Sequence, residues 1–122
     1  MAYDDSNVFA KILRGEIPCN KVYEDEFALA FHDINPMAPV HVLVIPKGAY
    51  VSFADFAAMA DAETVAGFFQ AANTVARELG LEPSGYRILA NAGADANQEV
   101  PHFHLHIFGG ANLGRMIEKI RG

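Results

Sequence analysis

Residues 102–108 read His-Phe-His-Leu-His-Ile-Phe. An extended strand sends successive side chains to opposite faces, so it sorts this run into two uniform sets. His102, His104 and His106 share one face, while Phe103, Leu105 and Ile107 enter the opposite layer. A fold that accepts this strand must cover its apolar side and find a use for three imidazoles on the other. Burying titratable groups merely to build a surface is costly.

The remaining sequence supplies the layers. A short helix is expected over residues 7–13, with Ser6 as its cap, Gly15 at its end and Pro18 preventing resumption. Val8, Phe9 and Ile12 give it an apolar face. Strands are expected over 20–23, 27–33, 41–45, 86–91 and 102–108. In the third, His41, Leu43 and Ile45 share one face and Val42 and Val44 the other. Both faces are mostly apolar, which marks an interior strand. Pro36 and Pro39 stiffen the loop before it. Residues 53–59 form a short helical turn. A long helix spans 62–79, with Asp61 as N-cap and Gly80 just past its end, and an apolar stripe from Val65 to Leu79. The sum is an α+β fold with one mostly antiparallel sheet, one long helix and one short helix.

Composition bounds the function. The 122 residues are expected to form one domain, and 52% are hydrophobic, enough for a core without disulfides. Nine basic against fifteen acidic residues give a net charge of −6. No basic block is present, which argues against nucleic acid as a partner. No apolar run approaches the ~18 residues of a membrane span. The N-terminal Met1-Ala2-Tyr3-Asp4-Asp5 is acidic where a secretory leader is basic, and the lone Cys19 suits a reducing compartment. A cytoplasmic protein is expected.

Three uses of the histidine strand compete. One is an exposed polar face. Another is a metal site, because imidazoles at i and i+2 can chelate. The outer two α-carbons of the trio stand ~13 Å apart, however, and a thiolate or carboxylate, none of them obvious, would have to come from elsewhere. The third use is phosphoryl chemistry, in which one imidazole attacks phosphorus while its neighbours, protonated, hold anionic oxygens or protonate a leaving group. With an ordinary pKa of ~6.5, adjacent rings can hold different protonation states near neutrality.

At these residues the chain resembles the histidine triad (HIT) superfamily, whose signature His-φ-His-φ-His-φ-φ (φ apolar) matches 102–108 throughout. The likeness continues through Phe9-Ala10-Lys11-Ile12 with Glu16-Ile17-Pro18, Ala30-Phe31-His32-Asp33-Ile34 with Pro36, and Ala38-Pro39 through Lys47. His106-Ile107-Phe108-Gly109-Gly110 is similar to the Hint branch, the histidine triad nucleotide-binding proteins. The resemblance implies a homodimer whose five-stranded sheet continues into its partner. It also implies hydrolysis of purine nucleoside phosphoramidates through a nucleotidyl-histidine intermediate, without metal or other cofactor. It makes His104 the nucleophile and sets His102 and His106 beside it on phosphate oxygens and proton transfer. His41 becomes the fourth, relaying histidine. Asp33 would bind ribose hydroxyls, Asn91 would lie near sugar and phosphate, and Val8, Phe9, Ile12 and Leu43 would enclose the base.

One departure stands before the triad. Where many Hint proteins read Gly-Gly-Gln-Ser, this chain has Ala96-Asn97-Gln98-Glu99. Gln98 keeps its place in the nucleotide site, whereas Glu99 puts a carboxylate where the family serine donates a hydrogen bond. The C-terminal residues 112–122 also lack the tryptophan that some relatives hold near the site. Two other readings stay open: a dinucleoside polyphosphate hydrolase, and a nucleotide- or metal-binding protein without turnover. For a histidine nucleophile, turnover should decline below a pKa of about 6–7.

Overall fold

The computed structural model describes residues 2–122. Its elements are α1 (Val8–Leu13), β1 (Lys21–Glu24), β2 (Ala28–His32), β3 (Val40–Pro46), α2 (Phe53–Met59), α3 (Ala62–Glu78), β4 (Arg87–Leu89) and β5 (Leu105–Gly109). The five strands form one sheet in the order β1-β2-β3-β5-β4, and every neighbouring pair is antiparallel.

The two-sided apolar pattern of β3 is used on both sides. Val42 and Val44 face a core built with Ala28, Ala30, Leu105 and Ile107 and closed by Phe56 of α2 and Phe68, Ala71, Ala72 and Val75 of α3. Leu43 and Ile45 face a second, smaller cluster with Leu29, Phe31 and Phe9 of α1. α3 lies close on the first face because it carries glycine at position 67, where a Cβ would run into the Phe27 ring. The long helix thus covers one side and leaves the other to α1 and the histidines.

Four local expectations change. The cap of α1 is Asn7, whose Oδ1 accepts the Ala10 N–H at 2.9 Å. Ser6 is instead engaged by Asp4 Oδ1, through its N–H at 2.9 Å and its hydroxyl at 2.6 Å. β5 begins at Leu105 rather than His102, because Phe103 N–H donates to the Tyr50 carbonyl at 2.8 Å and not to a sheet neighbour. β4 is correspondingly shorter than 86–91, its last paired residue being Leu89, opposite His106. Residues 53–59 form a two-turn helix, so the sheet carries three helices, of 6, 7 and 17 residues.

Candidate active site

The register of β3 on β5 sets Leu43 opposite His106 and His41 opposite Phe108. His41 and His106 are therefore diagonal neighbours on one face. His41 Nε2 lies 2.9 Å from His106 Nδ1 and 3.4 Å from Asp33 Oδ2, just beyond the end of β2. The Phe108 ring stacks on His106 at 5.6 Å between centroids and 3° between planes. His104 follows in the row, its centroid 5.0 Å from that of His106, and Phe9 of α1 meets it edge-on at 4.9 Å.

Main-chain groups fix the proton positions on these rings, since an amide N–H only donates and a carbonyl only accepts. The Met37 N–H donates to His41 Nδ1 at 3.0 Å, so the neutral His41 ring carries its proton on Nε2. That N–H donates to His106 Nδ1, which puts the His106 proton on Nε2. His104 Nδ1–H donates to the His102 carbonyl at 2.7 Å, leaving the Nε2 lone pair free. His102 Nε2–H donates to the Pro46 carbonyl at 2.9 Å, and its Nδ1 lies 2.6 Å from the Tyr3 hydroxyl, which must donate.

Burial pushes all four rings below their ordinary pKa of 6.5, His102 and His106 to about 4. Repulsion from His104 and His41 adds to the effect at His106, whereas Asp33 works against it at His41, His104 and His106, and Glu99 works against it at His104. The row is neutral at pH 7. The mixed protonation expected of neighbouring imidazoles is corrected accordingly: desolvation outweighs the nearby carboxylates.

His104 and His106 open onto a cavity of about 710 Å³. Of the residues expected in the site, it brings together His41, His104, His106, Asp33, Asn91, Val8, Phe9, Ile12, Leu43 and Glu99. Two stand apart. His102 does not line the cavity, and both its ring nitrogens are held inside the protein, which leaves none for a phosphate oxygen. Gln98 braces its own loop: Nε2 donates to the Val51 and Val100 carbonyls at 2.6 and 3.0 Å, and Oε1 accepts the Gly93 N–H at 3.2 Å. Sequence reasoning missed Ile17, Phe31 and Val100 on the apolar wall, and it missed Tyr3 behind the histidines. The strand alternation marked Phe31 as facing Leu29's side. The loop residues carried no such signal.

Among the described residues, no Lys or Arg lines the cavity, and its carboxylates are Asp33 and Glu99. Asp33, His41 and His106 bring three possible metal-ligating atoms within 4.8 Å of one another. Asp33 is the carboxylate that the sequence left unidentified for a metal site. Ligation through His41 Nε2 would need the proton moved to Nδ1, against the Met37 N–H.

A family model described as the HIT domain matches residues 14–113. The chain is 64% identical over 117 residues to a HIT-like protein of Azospirillum brasilense, covering 96% of each chain. It is 36% identical over 113 residues to the purine nucleoside phosphoramidase of Escherichia coli, covering 93% of this chain and 94% of the other. Among solved structures it resembles a HIT family hydrolase from Clostridium thermocellum, with a TM-score of 0.85 and 41% identity over 93% of this chain and 98% of the other. A histidine triad protein from Clostridium difficile gives 0.82 and 39% over 95% and 100%.

Proposed function

The chain belongs to the HIT domain family, and from that membership we propose that it hydrolyses the P–N bond of purine nucleoside 5′-phosphoramidates. One observation carries the proposal: a bare Nε2 on His104 and a protonated Nε2 on His106 belong to rings 5.0 Å apart that line the same cavity. The His104 lone pair attacks phosphorus while the P–N bond breaks. The leaving nitrogen takes a proton by way of His106. That ring draws it from solvent through His41 and Asp33, whose side chain is 20% exposed. The His102 carbonyl, bonded to His104 Nδ1–H, stabilises the cationic nucleotidyl-imidazole. Water then attacks phosphorus, the P–Nε2 bond breaks, and one proton returns along the same chain. The products are an amine and a nucleoside monophosphate. The apolar wall of Val8, Phe9, Ile12 and Leu43 suits a purine, and Asp33 and Asn91 suit its ribose.

Charge separates this reading from a dinucleoside polyphosphate hydrolase. With neutral imidazoles and two carboxylates, the cavity disfavours each phosphate beyond the first. Turnover of an adenosine phosphoramidate should exceed that of a diadenosine polyphosphate in kcat/KM by on the order of 100-fold. Equal values would refute the assignment. A chelator should leave the activity intact, and its loss on chelation with recovery on adding zinc would favour the metal reading.

Glu99, exposed at the cavity margin and close enough to act on His104, bears on the leaving group. Glu99→Ser should alter discrimination among leaving amines by several-fold, favouring neutral over cationic ones, with base preference unchanged. Equal effects on all amines would remove that role from Glu99. We also propose the homodimer. β4 is an edge strand with half-exposed Ile88, while the other edge, β1, carries Lys21 and Glu24 paired to each other. Ile88→Lys should convert the dimer to monomer by light scattering. No helix among the described residues is long and apolar enough to cross a membrane, and a free Cys19 thiol agrees with a cytoplasmic setting.

A further inference from the structure

His102 is fully buried and touches no part of the cavity, yet its backbone carbonyl is the group that orients His104. What holds His102 therefore bears on the nucleophile. Its Nε2–H is bound by the Pro46 carbonyl at the end of β3, and its Nδ1 by the hydroxyl of Tyr3. The Tyr3 ring also meets the imidazole edge-on, with centroids 5.7 Å apart and planes at 68°.

Tyr3 precedes α1, and the residues after it are tied down. The Asp4 carbonyl accepts Asn7 Nδ2–H at 2.8 Å, and the Asp5 carbonyl accepts from Arg14 Nη1 at 2.9 Å. Asp4 Oδ1 closes a turn on Ser6 through two further bonds. The same Asn7 side chain caps α1 with its oxygen. The segment and the helix carrying Phe9 are thus one unit, and that unit touches His102 and His104 together through Tyr3 and Phe9. Tyr3 also lies before residues 14–113, the span matched by the family model.

We propose that Tyr3 is a positioning residue for the nucleophile, its hydroxyl holding the His102 ring against the Pro46 carbonyl so that the His102 carbonyl stays in place for His104. The argument rests on reading His104 as the nucleophile. Without the hydroxyl the buried Nδ1 lone pair has no donor, and a proton moved there would find no acceptor, so the ring regains a partner only by turning out of its place. That movement weakens the Nε2–H bond to the Pro46 carbonyl and loosens the chain at 102. His104 then loses the fixed acceptor that keeps its own proton on Nδ1 and its lone pair on Nε2. Since Tyr3 and His102 lie outside the cavity lining, substrate binding is untouched.

The test is Tyr3→Phe, which keeps the ring and deletes only the donor. Nitrogen NMR of the imidazoles in the substrate-free protein should show His104 wholly Nδ1-protonated in the parent and a mixture of tautomers in the variant. With an adenosine phosphoramidate, kcat should fall roughly tenfold while KM stays within about twofold. Either an unchanged tautomer or an unchanged kcat would overturn the proposal, as would a loss carried by KM. A fall in melting temperature with kcat preserved would reduce Tyr3 to a packing residue and overturn it too. The NMR result needs no substrate, so it stands even if the chain proves inactive on phosphoramidates.

Discussion

His104→Ala should lower kcat/KM for a nucleoside phosphoramidate by about 10⁴-fold or more, because in the proposed mechanism it removes the atom that bonds to phosphorus. Nucleotide affinity should change far less. The apolar wall, Asp33 and Asn91 stay in place, and the lost ring contributes one hydrogen bond to the protein, Nδ1–H to the His102 carbonyl. His106→Ala should cost less, roughly 10²–10³-fold, the usual scale for removing a proton donor. Rapid-quench kinetics would separate the two: His104→Ala gives no burst of amine, whereas His106→Ala gives a slowed one. The reverse order of effects would exchange the roles of the two rings.

The second large effect is on stability in acid. Folding moves the His102 pKa from 6.5 to about 4, chiefly by desolvation. Between those values the unfolded chain binds the proton and the folded chain does not, so stability falls as the pH is lowered. It is fully present above 6.5 and is lost progressively down to about 4. The displacement corresponds to about 3 kcal/mol from this ring alone. His106 and His41 move in the same direction. Denaturant titrations at pH 7 and pH 4 should show the loss, and His102→Gln should make the pH dependence shallower by about 3 kcal/mol. Identical slopes in parent and variant would contradict the assignment. Activity follows the same sign. His104 is held below 6.5, so the decline of turnover in acid should set in at a lower pH than for an unperturbed imidazole. The earlier decline suggested by an unperturbed imidazole is not expected.

The sheet could be read from the chain because its faces obey a period of two. Leu43 and Ile45 against Val42 and Val44, and Leu105 and Ile107 against His106, decide which side of a central strand each residue faces. The long helix was legible for the same kind of reason, with Asp61 accepting the Thr64 N–H at 2.8 Å and Gly80 at φ +72 closing the other end. The cavity lining was legible at His104, His106, His41 and Leu43, but the same alternation also put His102 there, wrongly. The alternation gives the faces of His41 and His106, and the register of β3 on β5 then makes them neighbours. What could not be read depends on groups without periodicity. The start of β5 is decided by a bond from Phe103 to a loop carbonyl at Tyr50. The role of His102 is decided by Pro46 and by Tyr3, 99 positions away in sequence. The protonation of the row is decided by burial, which composition does not report. Gln98 resembles a ligand-binding residue by position, and its side chain is used up by three bonds to its own surroundings.

The central claim is a covalent bond between His104 Nε2 and the phosphorus of a nucleotide, and it can be observed directly. Mass spectrometry of the intact protein, quenched in alkali during turnover of an adenosine phosphoramidate, should reveal a transient adenylyl adduct. Peptide mapping should place that adduct on His104, and His104→Ala should lack it. An adduct mapped to His102 or His106, or turnover with no adduct at any quench time, would contradict the account.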